Sequence, residues 1–513
     1  MATVKPKKHP LYRPKAAFDL LSIPLLGSVL KMRYGRLLLQ IPFLVLAVLV
    51  TYDGFTGPNA AARNLATVTP WVHYRGLVVV VILLAGNLFC MGCPFTIPRT
   101  LAKRIAISGI RFPRVLRNKW LAITGLFIIF FLYEWLDLWA SPLLTAWVIV
   151  FYFVASFVLE VIFKESAFCK YVCPIGTFNF VYSTASPTQI GVKNPDVCQS
   201  CQGHECVNGS YAASSVIRID RIPFIDADGT LHYKDVTVEN NLKGTLGCGT
   251  ELFPPQMTSN MDCVFCLDCV RACPHDNIAL MARQPGRELS KTGAWSKRWD
   301  VSLLVIILTF MAIFNAFGMV PPIYSLLAWF ADLGFASDFV PLLLLFGAGM
   351  IVLPIVLALI AAWLSRTLTN TATKHSLRDT VATFAPAFVP LGFGIWIAHY
   401  GFHFLIAPLT IVPVVQEFLG QTGDWARFGT AVDNQWIGII QAIALLGGFL
   451  WSMIVAQRAS THFFGKRQGF IGMVPWALLL LILMVVSYQI FVMPMEMRGT
   501  AALFAYILST VGA

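Results

Sequence analysis

The sequence predicts an all-α polytopic membrane protein of about nine transmembrane helices carrying a cysteine-rich polar insertion. Three observations predict it. Of 513 residues, 57% are apolar and only 12% are charged, where soluble domains carry about 25% charged residues. The mean hydropathy is +0.70. All twelve cysteines fall between residues 90 and 273. Such a chain is not a soluble enzyme, a disordered segment or a disulfide-stapled secreted domain. A net charge of +12 in a soluble protein would raise the question of nucleic acid. Here the basic residues sit in loops between apolar spans, and no nucleic-acid partner is expected.

About 20 apolar residues cross roughly 30 Å of hydrocarbon. The spans read as 37–53, 73–91, 120–139, 142–163, 300–319, 339–364, 377–407, 433–456 and 473–493. The shorter stretch 322–332 is expected to be re-entrant or interfacial. Lipid tolerates no unpaired backbone, so the spans form a helical bundle. The basic start MATVKPKKHPLYRPK has no short apolar core ending in small residues, and no cleavable leader is expected. Lys and Arg set the orientation. Residues 1–36 hold Lys5, Lys7, Lys8, Arg13, Lys15, Lys31, Arg33 and Arg36, and residues 91–119 hold Arg99, Lys103, Arg104, Arg111, Arg114, Arg117 and Lys119. The alternate loops are nearly bare. The N-terminus, the 91–119 loop and segment 164–299 are therefore expected in the cytoplasm and the C-terminus outside, in the inner (cytoplasmic) membrane. The chain divides into a four-helix membrane part (1–165), a polar insertion with ten cysteines (166–298) and a cysteine-free membrane part of about five helices (299–513).

The strongest motif is CVFCLDCVRACP. It places Cys263, Cys266, Cys269 and Cys273 in the run C-x2-C-x2-C-x3-C-P, ended by Pro274. This is the bacterial ferredoxin run, whose fourth cysteine serves a second cluster. Three thiolates on a tight loop can cap three irons of one cubane. Zinc sites use paired CxxC motifs with longer gaps, and a cytoplasmic segment disfavours disulfides. The partner thiolates are Cys198, Cys201 and Cys206, spaced C-x2-C-x4-C, and Cys248. Eight thiolates suit two [4Fe–4S] clusters. One takes Cys263, Cys266 and Cys269 with Cys206 or Cys248; the other takes Cys198, Cys201 and Cys273 with whichever remains. The insertion thus reads as a bacterial-type 2[4Fe–4S] ferredoxin-like domain. His204 lies inside the first loop, where it can ligate, hydrogen-bond a cluster sulfur or face water. The alternating runs around Asp228-Gly229 read as a β-hairpin.

A second constellation is Phe89-Cys90-x2-Cys93-Pro94 and Phe168-Cys169-x3-Cys173-Pro174. Each ends a pair of spans, so residues 37–96 and 120–177 form an internal repeat. Spacings of three and four put each pair on one helical face. Four converging thiolates suit a third [4Fe–4S] cluster or a redox-active dithiol or metal-transfer site; two pairs of buried structural thiols are the alternative.

Residues 70–285 resemble the membrane-bound polyferredoxins, on the ferredoxin run and on Cys-Pro at 93–94 and 173–174. That group includes quinol-oxidising ferredoxin-type proteins of periplasmic nitrate reduction, the nitrous oxide reductase regulator and the copper-reducing assembly factor of cytochrome oxidase. Its usual pattern is C-x3-C-P twice, and the first copy here is one residue short. The resemblance implies electron transfer between a cytoplasmic donor or quinol pool and a respiratory or extracytoplasmic metalloenzyme system.

In the second membrane part, His399 and His403 stand four apart on one helical face. Ionisable residues within a membrane are costly and often functional. The pair suits haem, copper or a quinone hydrogen bond, with His73 as a haem partner, or simple hydrogen bonding within the bundle. Met493, Met495 and Met497 suit Cu(I), or form a greasy span end. Glu134 and Asp137 suit quinol protons or pairing with Arg75. The rival readings are a membrane cupric reductase or metallocentre assembly factor, and an electron-wire subunit of a respiratory complex. No catalytic general base is implied.

Overall fold

The computed structural model describes residues 18–32, 34–98, 110–209, 215–225, 231–240, 245–290, 297–425, 427 and 431–495. Met497 and the basic residues Lys5, Lys7, Lys8, Arg13, Lys15, Arg33, Arg99, Lys103 and Arg104 lie outside the described residues.

The chain is a multi-pass α-helical membrane protein. Its apolar helices, among the described residues, are α1 Gly35–Thr56, α2 Leu65–Ala85, α3 Trp120–Trp135, α4 Pro142–Ile162, α5 Trp299–Phe317, α6 Phe339–Leu368, α7 Leu377–Leu405, α8 Asn434–Phe464 and α9 Gly469–Val492. Eight of them are long and apolar enough to cross a bilayer. The exception is α3, whose 16 residues reach about 24 Å. The expected span 120–139 is helical only to Trp135, because the chain turns through Asp137 at φ 45°. The expected span 73–91 begins earlier, at Leu65, and breaks at Gly86 (φ 66°), a conformation glycine adopts without steric cost. Stretch 322–332 is the helix Pro321–Asp332. Helix starts follow capping chemistry: Ser141 accepts from Leu144 N–H ahead of Pro142, and Asp433 accepts from Gln435 N–H.

The chain forms two compact units. The larger comprises Leu39–Pro187, Ser259–Val264 and Gln284–Ala513. At its centre, α5 and α7 are 89% buried over their most apolar stretch, against 22% for α1 and 33% for α8. The outer helices turn Phe151, Ile443 and Leu450 outward, each more than 60% exposed. Apolar faces of that size belong in lipid. Glycines let the backbones of α7 and α8 approach: a Cβ on Gly394 would collide with Ala444 O, and one on Gly448 would meet Pro390 O at 2.7 Å. The two membrane parts expected as 1–165 and 299–513 pack on each other in this unit, with Gly76 of α2 against Phe404 of α7.

The smaller unit comprises Met1–Leu38, Thr188–Thr258 and Phe265–Arg283. Its base is β1 Thr188–Val192, antiparallel to a strand at Ile278–Ala282, with Ile190 opposite Leu280. Residues 18–19 join this ladder: Ala282 N–H donates to Phe18 O at 2.8 Å, and Asp19 bridges to Met281. Residues 18–19 therefore belong with the insertion in this unit rather than with the membrane part expected at 1–165. The expected hairpin is present as β2 Ser215–Ile225 and β3 Leu231–Asn240, antiparallel. The strand Ile278–Ala282 is β4. Every cysteine from 198 to 273 lies in the chain between β1 and β4.

Candidate functional site

In the smaller unit, Cys198, Cys201, Cys206 and Cys273 line one pocket, with His204 and Asn277. Local sequence places each thiol. Asn194 accepts from Asp196 N–H and starts the short helix Pro195–Ser200, which carries Cys198. Cys201 ends that helix in extended conformation. His204, at φ 48°, turns the chain into Glu205–Asn208, which carries Cys206. Cys273 ends the helix Asp268–Ala272, and Pro274 follows it. Of the two cysteines left open by the sequence, Cys206 is the one that lines the pocket with Cys198, Cys201 and Cys273. Cys248 lies beside it, its N–H donating to Cys206 O at 2.9 Å. Burial pushes the Cys206 thiol up to about 12, helped by Cys273, Cys198, Cys201 and Cys248. Burial raises Cys198 too, opposed by a hydrogen bond from Asn277. Thiols crowded in this way cannot all ionise without a cation among them.

The rest of the ferredoxin run coils sharply. Asp262, Phe265 and Leu267 all have left-handed backbones, at φ 66°, 52° and 59°. Left-handed non-glycine residues are costly, and such outliers gather at functional sites. Turns of this kind aim successive N–H groups at an anion. Arg271 fastens the loop, donating to Cys266 O at 2.7 Å and to Asp268 at 2.6 Å. The boundary between the units falls inside the run, after Val264.

In the larger unit, Cys90, Cys93, Cys169 and Cys173 all line one cavity of about 290 Å³. The two motifs are built alike. Cys93 and Cys173 each precede proline, which forces extended backbone; their φ/ψ are −61°/120° and −62°/114°. The difference in spacing has a structural cause. Residues 168–172 form a π turn, closed by Cys173 N–H on Phe168 O at 2.7 Å, whereas Leu88–Gly92 is α-helical. A π turn absorbs one extra residue, so x2 and x3 end in the same geometry. Each pair thus sits at a helix end rather than along a helical face. Gly176 N–H donates to Cys173 Sγ at 3.2 Å, and Asn179 Nδ2 donates to Cys90 Sγ at 3.3 Å. Burial raises both Cys169 and Cys173, Cys169 further through Glu160.

Residues 260–264, at the start of the ferredoxin run, are tied to this repeat within the same unit. Asn87, fully buried, donates to Cys263 O at 2.6 Å. Buried Lys119 pairs with Asp262 and donates to Lys170 O at 2.6 Å. Asn260 donates to Ser183 O at 2.9 Å. Val264 itself lines the cavity of the four Cys-Pro thiols.

His399 and His403 face one another on α7, Nε2 to Nε2 at 3.1 Å, both buried. The nitrogens of His73 lie 3.1 Å from Val68 O and 3.2 Å from Pro408 O, and its tautomer sets which carbonyl receives the N–H. Met493 and Met495 pack against the apolar core. Glu134 is buried against Gly318. Arg75 donates to Tyr133 Oη at 3.0 Å and stacks on Trp71, Tyr133 and Tyr400.

Asn277, Asn179, Asn87 and Lys119 are site residues that sequence reasoning misses, since no motif marks a lone asparagine or lysine. None of the twelve cysteines is in a disulfide. Among the described residues, no three His, Cys, Asp or Glu side chains converge as one ion would require. Zinc needs four donors about 2.3 Å away. No protein-family model, curated protein or solved structure matches the chain.

Proposed function

We propose that the protein is a membrane-anchored iron–sulfur electron-transfer protein. In this reading Cys198, Cys201, Cys206 and Cys273 hold one [4Fe–4S] cluster. The ferredoxin run supplies Cys263, Cys266 and Cys269 to a second, and Cys248, the remaining thiolate of the insertion, completes it. The four Cys-Pro thiols are a third redox centre. Bound clusters supply one-electron chemistry, their potentials set by charge, hydrogen bonds to sulfur and exposure. The chain's own residues then do three things. The cysteines give up protons to ligate. Asn277, Asn179 and Gly176 donate to sulfur and favour the thiolate. Asn87 and Lys119 fasten the start of the ferredoxin run to the Cys-Pro repeat.

The observation that carries the reading is the gathering of Cys198, Cys201 and Cys206 round Cys273, the last cysteine of the run. A chain whose fourth cysteine leaves for a different set of three is what two-cluster ferredoxins require. Electrons would pass between a cytoplasmic donor or the quinol pool and a respiratory or extracytoplasmic partner, with the insertion on the cytoplasmic face of the inner membrane. Iron and acid-labile sulfide, counted on anaerobically purified protein with EPR after reduction, test the reading. Broad visible absorption and reduced-state signals are expected. Protein lacking iron and sulfide would refute it.

A further inference from the structure

In the larger unit, the buried helix α7 carries two bases that the electron-transfer reading does not use. His399 and His403 are 0% and 3% exposed. They stand one turn apart, Nε2 to Nε2 at 3.1 Å. At that distance one hydrogen lies between the two nitrogens, since two lone pairs repel and two N–H groups collide. The imidazole that donates has a bare Nδ1 lone pair, and the one that accepts carries its hydrogen on Nδ1. The neutral pair therefore always keeps one Nδ1 open to a further proton. A proton added there makes the bond between the rings charge-assisted, roughly twice as strong as the neutral one.

A second buried polar group lies at the same depth. Asn315 of α5 is fully buried, and among the described residues neither end of its amide has a hydrogen-bond partner; nor has His399 Nδ1. One span separates α5 from α7, so the two run in the same direction. Thr309 of α5 lies against Gly392 of α7 and donates to Phe388 O at 3.2 Å. Asn315, six residues and about 9 Å further along, comes level with Ala398, the neighbour of His399. Buried polar groups of this kind are satisfied by water or an ion.

The titratable groups around the pair are few. From α2, the Arg75 guanidinium lies 5.1 Å from the Tyr400 ring centre, and that ring lies 5.5 Å from the His399 ring. His73 turns its nitrogens to Val68 O and Pro408 O. From α3, Tyr133 holds Arg75, and Glu134 lies against Gly318. The one acid of α5 is Asp300, in its first turn. Tyr182 faces Phe393, nearly two turns earlier on α7. α8 turns Gln441 to Ala398 O, and α9 turns Phe491 to His399. Tyr400 also lines the cavity of the four Cys-Pro thiols. One ring therefore stands between the pair and that cavity. A negative charge gained at the thiols favours a positive one on the imidazoles, and where water is excluded the attraction is little screened.

We infer that His399, His403 and Asn315 form a proton-binding site, loaded with one proton when the centre held by the Cys-Pro thiols gains an electron. The step balances: one electron comes from the donor, one proton passes from water to the open Nδ1, and oxidation returns both. His403 stands two residues before the end of α7 at Leu405, which gives the proton a short way in. The Asn315 amide both donates and accepts, so it suits either state of the pair. The coupling rests on the electron-transfer reading; the proton site itself is measured without it. The test uses the full chain in detergent, its histidine rings labelled with nitrogen-15. Infrared difference spectra compare reduced with oxidised protein, and acidified with neutral protein. The midpoint potential of each iron centre is followed against pH, and iron is counted on the same samples. Reduction is expected to turn one imidazole into imidazolium. One midpoint should fall by up to about 59 mV per pH unit, a tenfold change in equilibrium for one electron. His399→Gln and His403→Gln should each keep the iron, lose the histidine bands and flatten that midpoint. Asn315→Leu should bind the proton about tenfold more weakly, the difference between a charge-assisted and a neutral hydrogen bond, and it serves if the histidine variants fail to fold. Histidine bands that stay still on reduction, with every midpoint flat against pH, overturn the inference. So do bands that persist in a folded His399→Gln or His403→Gln protein, or an Asn315→Leu protein that takes the proton as wild type does. Protein without iron whose pair still takes a proton on acidification would leave the site standing and remove the electron-transfer reading; iron-loaded protein with still histidine bands would do the reverse.

Discussion

The side-chain amide of Asn277 lies 3.1 Å from Cys198 Sγ, while the Asn277 backbone N–H lies 3.4 Å from Cys273 Sγ. One residue thus joins a cysteine of the first loop to the last cysteine of the ferredoxin run, 75 positions later in the chain. Asn277 also grips Asn194 in both directions, donating to its carbonyl at 2.7 Å and accepting from its N–H at 2.8 Å. That second grip explains why an asparagine serves here: its amide offers two donors and an acceptor at once.

Asn277→Ala should therefore loosen the pocket twice over. The exposed Asn194 loses two hydrogen bonds of about 0.5–1.5 kcal/mol each, and Cys198 loses a donor to sulfur. Iron should leave this pocket several-fold faster under chelator, followed by the decay of the visible absorption. The centre that remains should have a lower potential, since the donated hydrogen bond favours the more negative, reduced form. An unchanged decay rate would show that Asn277 is only a neighbour.

Cys206 and Cys248 should fall on different centres. Cys206→Ala should remove the cluster held with Cys198, and Cys248→Ala should disturb the one held by the ferredoxin run. Each variant is expected to lose roughly four irons per chain, and EPR of the two should show complementary signals missing. Identical spectra from both variants would mean that the thiols are assigned wrongly.

The helical bundle and the hairpin were legible because hydropathy and turn chemistry act locally. Trp120–Trp135 came out shorter than its apolar run, because Asp137 turns the chain before the stretch Leu138–Ala140 can join the helix. The choice between Cys206 and Cys248 was not legible, since both precede the run and only the fold brings Cys206 to Cys273. The equivalence of x2 and x3 in the Cys-Pro motifs was hidden for another reason: a π turn has no residue signature at 168–172. Lys119 looked like one more orienting charge of a basic loop. Its burial against Asp262 is a tertiary fact.

Lys119→Met should be among the most damaging single changes outside the cysteines. It leaves Asp262 without its cation in a largely buried place, a loss of about 3–5 kcal/mol, and frees Lys170 O between Cys169 and Cys173. Lower yield and melting temperature are expected. The double variant Lys119→Met with Asp262→Leu should recover part of the stability, because no orphan charge remains. Additive losses in the double variant would contradict the pairing.

The Cys206 thiol gives a pH dependence of known sign. Its value in the fold is raised to about 12, from an ordinary value of 9.0, by burial first and the neighbouring thiols second. Without metal, the folded chain then keeps a proton that the unfolded chain releases. Stability should be complete below about pH 9 and fall as pH rises towards about 12. Urea unfolding of demetallated protein across that window measures it, and Cys206→Ala should flatten the slope. A wild-type slope of zero would mean that the thiol is not buried as described.

Mössbauer spectroscopy of iron-57-labelled protein, purified without exposure to air, tests the central claim most directly. The account predicts the quadrupole doublets of [4Fe–4S] centres, with two cubanes' worth of signal lost when the cysteines from 198 to 273 are replaced. Zinc in place of iron, or a ferredoxin run that holds no metal, would contradict it.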